Sequence, residues 1–168
     1  YVELLHTPGH SRGHLAILDP KNRALYGADA IHGGLIPDLG GKPVMPATYL
    51  YVDSYLDTIR LIENLDIELF TSCHWPMARG QEIATFCAES RNLVEQAERL
   101  LLQAIGRASS GISLRDLCEQ VGPALGDWPE AANIECAFMF SGHLSRMEGF
   151  GLIEQANKGS TPCLYKAL

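Results

Sequence analysis

The stretch His6-Thr7-Pro8-Gly9-His10-Ser11-Arg12-Gly13-His14 constrains this chain more than any other. Histidines four apart could share one face of a helix. Pro8, Gly9 and Gly13 oppose a helix, so the segment reads as a loop that bends tightly. A loop of small residues can wrap a cation and aim an imidazole at it, while nearby backbone groups hold the second ring nitrogen. One loop offers too few donors for a hydrolytic metal centre, so further donors must come from elsewhere in the chain.

The flanking pattern shows where they lie. Residues 1–5 read as a strand entering the loop, and His14 to Leu18 as the next strand. Asp19-Pro20-Lys21-Asn22 is turn chemistry, which returns Ala24 to Tyr26 as a hairpin partner and leaves Gly27-Ala28-Asp29 at a strand end. Val52, Tyr55, Leu56, Ile59 and Ile62 recur at helical spacing, and Ile67 to Thr71 then reads as a buried strand ending before Ser72-Cys73-His74. His10, Asp29 and His74 each follow a strand, and loops at one edge of a sheet converge in space. Two imidazoles and a carboxylate suit zinc or a similar divalent ion.

Thr7-Pro8-Gly9-His10-Ser11-Arg12-Gly13-His14, Gly27-Ala28-Asp29 and Ser72-Cys73-His74, in that order, resemble motifs of the metallo-β-lactamase-fold hydrolases. The resemblance covers roughly the first half of the chain. It implies an α+β chain: the C-terminal half of an αββα metallo-β-lactamase sandwich over residues 1–80, followed by a long helix and a winged-helix-like domain over 81–168. His10 would bind one metal, Asp29 would bridge two and be the catalytic carboxylate, and His74 would bind the second. His14 would be structural, hydrogen-bonded to backbone. His6 and His32 would stand around the metals or face substrate. The cofactor would be two Zn²⁺ ions, with Fe or Mn possible, and hydrolysis would use water that the metals acidify. The family's H-x-H-x-D-H motif occurs nowhere in the sequence. The expectation is therefore a chain that begins where the second half of such a fold begins, with the missing ligands upstream of Tyr1 and little activity alone. A thioester or related small ester is the favoured substrate. A nuclease, or a non-catalytic binding or dimerisation module, is the alternative.

Other features define the surroundings. Gly33 to Pro46 is rich in Gly and Pro and reads as an irregular loop; with Pro76 to Arg79 it would wall a pocket, Arg79 meeting an anionic group of the substrate. Cys73 reads as a small buried residue and not as a ligand. Ile83 to Ile105 forms a long amphipathic helix, Ser113-Leu114-Arg115-Asp116 a capping box, and Pro129 to Met147 a third helix, followed by two apolar runs around the turn-prone Asn157 to Pro162. His143 reads as an ordinary helix residue, and Phe138 as core. A net charge of −7 opposes nucleic-acid binding, and Glu89 to Leu168 carries seven Lys or Arg against ten Asp or Glu. The tail would pack on the hydrolase part, shape the pocket rim or form a homodimer. Five scattered cysteines without C-x-x-C, no apolar span and no leader-like start suggest a cytoplasmic protein acting on a small-molecule substrate, away from membranes.

Overall fold

The computed structural model describes all of residues 1–168. Strands β1 (Glu3–His6), β2 (Leu15–Asp19) and β3 (Ala24–Ala28) form an antiparallel meander. A short hairpin, β4 (Ile36–Pro37) and β5 (Pro43–Met45), precedes helix α1 (Val52–Glu63). Strand β6 (Leu69–Ser72) then pairs with β3 in parallel. Parallel neighbours need a crossover, and α1 supplies it. With β7 (Ala78–Arg79) at the edge, the sheet order is β1-β2-β3-β6-β7. Because β1, β3 and β6 run in one direction, the loops that follow all three leave from the same edge.

Alternation along the strands divides the sheet into two unlike faces. Ala16, Leu25 and Phe70 point to one face and are buried against α1 and the long helix α2 (Gln81–Arg107). The helices meet them with Tyr55, Ile59 and Ile62 from α1 and Ile83, Phe86 and Cys87 from α2, the apolar stripes that the 3.6-residue period marks. On the other face Leu4, Ile17 and Tyr26 lie in register across three strands and remain 66%, 41% and 45% exposed.

Beyond α2 the chain forms β8 (Ile112–Ser113), α3 (Leu114–Val121), α4 (Cys136–Gly149), β9 (Ile153–Gln155) and β10 (Leu164–Ala167), with a three-stranded sheet ordered β8-β10-β9. Ser113 caps α3 by accepting from the Asp116 N–H, and the Asp116 carboxylate accepts in return from the Ser113 N–H. A single core of 30 buried residues runs from Ala16 on β2 to Ile153 on β9.

Two segments differ from the sequence expectation. Gly33 to Pro46 is not wholly irregular: the Asp38 carboxylate accepts the N–H groups of Gly40 and Lys42, at 2.8 and 2.9 Å, and closes the β4–β5 hairpin. Local side-chain bonding supplies the regularity that the Gly and Pro content conceals. The helix expected from Pro129 to Met147 is also divided. Residues Glu130–Glu135 wind as a tighter 3₁₀ helix, and the α-helix begins only at Cys136. The Trp128 indole N–H donates to Asn133 Oδ1 at 2.9 Å, a short-range tie that accompanies the tight turn.

Candidate metal centre

The loop after β1 is bolted to the start of α1. The N–H groups of Leu50 and Tyr51 both donate to the Gly9 carbonyl at 2.9 Å, and Thr58 Oγ1 donates to the Pro8 carbonyl at 2.7 Å. Gly9 is required here: its φ is +147°, and a Cβ would stand 2.8 Å from Tyr55 Cα. So fixed, the loop presents His10, whose Nδ1 lies 2.7 Å from the Thr48 carbonyl. A carbonyl only accepts, so Nδ1 carries the proton and the Nε2 lone pair is left free, the tautomer of a metal-ligating histidine.

Asp29 follows β3 after a bulge, where Ala28 takes a φ of +46°, a strained value for a residue with a side chain. The Asp29 N–H donates to His14 Nε2 at 3.2 Å. His14 must then carry its proton on Nδ1, which donates to Thr7 Oγ1 at 2.8 Å. Both nitrogens of His14 are occupied, leaving it no lone pair for a cation. It holds the backbone on which Asp29 is mounted.

Two further imidazoles approach one oxygen of Asp29. His32 Nε2 and His74 Nε2 each lie 3.2 Å from Oδ1, and the donor atoms of the three residues fall within 4.8 Å of one another. The His32 side chain is 0% exposed and its backbone N–H donates to the Tyr55 hydroxyl, whereas His74 is 42% exposed at the mouth. The His10 ring lies 5.8 Å from the His32 ring, centre to centre.

The electrostatics suit a cation. The hydrogen bond from His32, within a ring of imidazoles, outweighs burial and holds the Asp29 carboxyl at about 2. Burial lowers the pKa values of His32 and His14, so both rings are neutral at pH 7. An ionised carboxylate is the state that metal binding needs. His32 Nδ1 is buried without any hydrogen-bond partner, an unusual cost that points to a polar role for this ring. The donor set thus fits a divalent ion.

The structure distributes the other sequence candidates as follows. His32, read from sequence as facing substrate or standing around the metals, lies inside the donor cluster and is closed to solvent. Arg79 lies away from it, because the chain reverses after Pro76 and runs back along β6, pairing Arg79 with Leu69 at the strand end opposite Ser72. Its N–H is taken by Glu82. Cys73 is exposed, not buried as the sequence suggested, and partial desolvation together with nearby Asp29 raises its thiol pKa, which disfavours a thiolate ligand. His6 Nε2 closes the loop against the Arg12 carbonyl at 2.7 Å. Sequence reasoning missed three contributors: Thr48, which orients His10; Trp75, whose N–H donates to the His32 and Leu35 carbonyls at 2.9 Å; and Phe138, whose ring lies 5.8 Å from that of His10. The spacing Asp29-x-x-His32 was a usable signal for the fourth ring, since Ala30 N–H bonds the Gly27 carbonyl and turns the chain back there.

A sheet backed by helices, with candidate metal donors on the loops of one edge, is similar in fold to part of solved metallo-β-lactamase-type structures. A metallo-β-lactamase family protein from Thermus thermophilus matches 99% of this chain and 49% of its own, with a TM-score of 0.67 at 16% identity. A β-lactamase domain protein from Burkholderia ambifaria matches 99% and 47%, with a TM-score of 0.67 at 15% identity. A stereoselective inverting sec-alkylsulfatase from Pseudomonas sp. matches 82% and 23%, with a TM-score of 0.54 at 14% identity. The chain spans about half the length of the first two. No protein-family model matches it, and no curated protein does.

Proposed function

We propose that this chain forms part of a metal-dependent hydrolase that cleaves a thioester or related small ester. The observation that carries the reading is the convergence of His32 and His74 on one oxygen of Asp29, with all three donor atoms within 4.8 Å. Asp29, His74 and His10 are the residues that would hold the ion, zinc being the first choice and iron or manganese compatible with the same donors. A divalent cation there would supply Lewis acidity and acidify water. The chain's own residues prepare that chemistry. Asp29 is ionised at every physiological pH, Thr48 fixes the His10 tautomer, and His14 fixes the Asp29 backbone. His32 braces the carboxylate from the buried side.

Zinc takes about three or four protein ligands per ion, so these side chains suffice for one ion and not for two. In this proposal the remaining donors of a two-metal centre come from the part of the fold that the matched proteins have and this chain does not span. Residues 1–80 are read as the C-terminal portion of the hydrolase fold, and 81–168 as a long helix plus a winged-helix-like domain. The order β8-β10-β9 with α3 and α4 between β8 and the hairpin supports that reading. The acidic balance of the tail opposes a DNA-binding use, and its contacts favour a role at the site rim. No helix is long and apolar enough to cross a membrane.

The test uses the natural gene product that contains this sequence. Metal content after dialysis and turnover of short-chain thioesters and esters are measured for it and for Asp29→Asn. Metal-dependent turnover that falls about 100-fold or more in the variant is expected, at or beyond the limit for groups that merely support a ligand. Absence of ester turnover alongside metal-dependent DNA cleavage would transfer the reading to a nuclease.

A further inference from the structure

We propose that Phe138, contributed by the tail, is the apolar wall against which the acyl group of the substrate packs, making the tail a determinant of acyl-chain preference. This rests on the hydrolase reading and goes beyond it in assigning the substrate an apolar acyl group several carbons long. Phe138 lies off the buried stripe of α4. Cys136, Met139, Phe140, His143 and Met147 are buried, while Phe138 remains 38% exposed. The core does not require an aromatic ring at this position. What the ring meets is His10: the two centroids are 5.8 Å apart and the planes tilted by 44°.

That proximity is built by several contacts. Gly142 lets α4 press onto the backbone of Leu50, where a Cβ would stand 2.0 Å from the carbonyl oxygen. Next to it, His143 Nε2 and the Tyr49 hydroxyl are hydrogen-bonded at 2.9 Å, both fully buried. One turn on, Arg146 donates to Asp53 at 2.8 Å and is paired with Glu98. All three α4 residues grip the segment 49–53, Arg146 also pairing with α2, and Thr48, directly before that segment, holds His10. The Phe138 ring and the His10 ring are therefore mounted on one rigid seam. An exposed aromatic fixed beside a metal-binding imidazole presents apolar surface where the non-reacting part of a substrate must lie.

The experiment uses the natural gene product with p-nitrophenyl acetate and hexanoate as substrates, and acetate and hexanoate ions as ligands in isothermal titration. Wild type is expected to favour the six-carbon chain in both assays. Phe138→Ala should lower the hexanoate-to-acetate ratio of kcat/KM by about 10-fold, within the range that small differences in apolar contact produce. The difference in ion affinity should shrink with it. Phe138→Leu, which keeps apolar bulk at a half-exposed site, should be intermediate and fold as wild type. Equal preference in wild type, or an unchanged ratio in the alanine variant with the fold intact, overturns the proposal. Hexanoate binding that depends on Phe138, without turnover of either ester, would uphold the wall and refute the hydrolase reading.

Discussion

Two imidazoles reach for the same oxygen of Asp29, and with His32 donating to it the carboxyl stays ionised down to about pH 2. Its negative charge is then the fixed electrostatic reason for a cation to sit there. Asp29→Asn keeps the shape and removes the charge, so metal affinity measured by competition with a chelator is expected to fall about 100-fold or more. His14 makes the opposite case. Both its nitrogens are used inside the protein, so His14→Ala is expected to cost about 1–3 kcal/mol in urea unfolding, the range for orphaning buried polar groups. Metal stoichiometry at saturation should not change; loss of a bound ion would show that His14 is itself a ligand. At this scale the strand-end positions of His10, Asp29 and His74 were readable, because strand ends are set by local pattern. The inward turn of His32 was signalled only by its spacing from Asp29, since it depends on how residues 29–32 fold back. Phe138 could not be read at all, because its neighbour His10 is brought near only by docking of the tail.

Helix α4 joins the tail to the segment that orients His10, and the joint is polar as well as apolar. Buried His143 faces Tyr49 from the segment before α1, Asp53 from α1, Glu98 from α2, and Arg146 from its own helix. Its Nδ1 is 3.6 Å from Glu98, too far for a strong hydrogen bond, and burial dominates: its pKa lies below the ordinary 6.5. The unfolded chain therefore binds a proton before the folded chain does. Stability is full above about 6.5 and falls as the pH drops below it. Glu98, held below the ordinary 4.5 by His143 and Arg146, adds a second loss as pH falls through its folded value. Thermal unfolding from pH 8 to pH 5 should show this decline, with a shallower slope in His143→Gln; an equal slope in the variant would remove His143 as its source. Among the elements, α1 and α2 were readable from their apolar period. The β4–β5 hairpin and the 3₁₀ start of α4 were not, because single side chains, Asp38 and Asn133, shape them against the composition.

The whole molecule has one covered sheet face and one bare one. Leu4, Ile17 and Tyr26 form a contiguous exposed apolar row across β1, β2 and β3. In the chain of residues 1–168 this face is expected to pair with its copy, so light scattering should give a mass above 18.4 kDa. Ile17→Lys with Tyr26→Lys should restore the monomer, whereas association that survives both changes would place the contact elsewhere. A second layer over this face was implied by the sequence resemblance to an αββα sandwich. The dependence of the site on the tail was not, because it arises from one core that runs through both parts. The proposed function requires a cation at the edge where β1, β3 and β6 end. Anomalous scattering at the zinc edge, from crystals of the natural gene product grown with zinc, tests that claim most directly. The expected result is a peak about 2.0–2.2 Å from an Asp29 carboxylate oxygen and an imidazole nitrogen of His74 or His10. A zinc-saturated crystal with no peak beside Asp29, or with its only peak elsewhere in the chain, would contradict it.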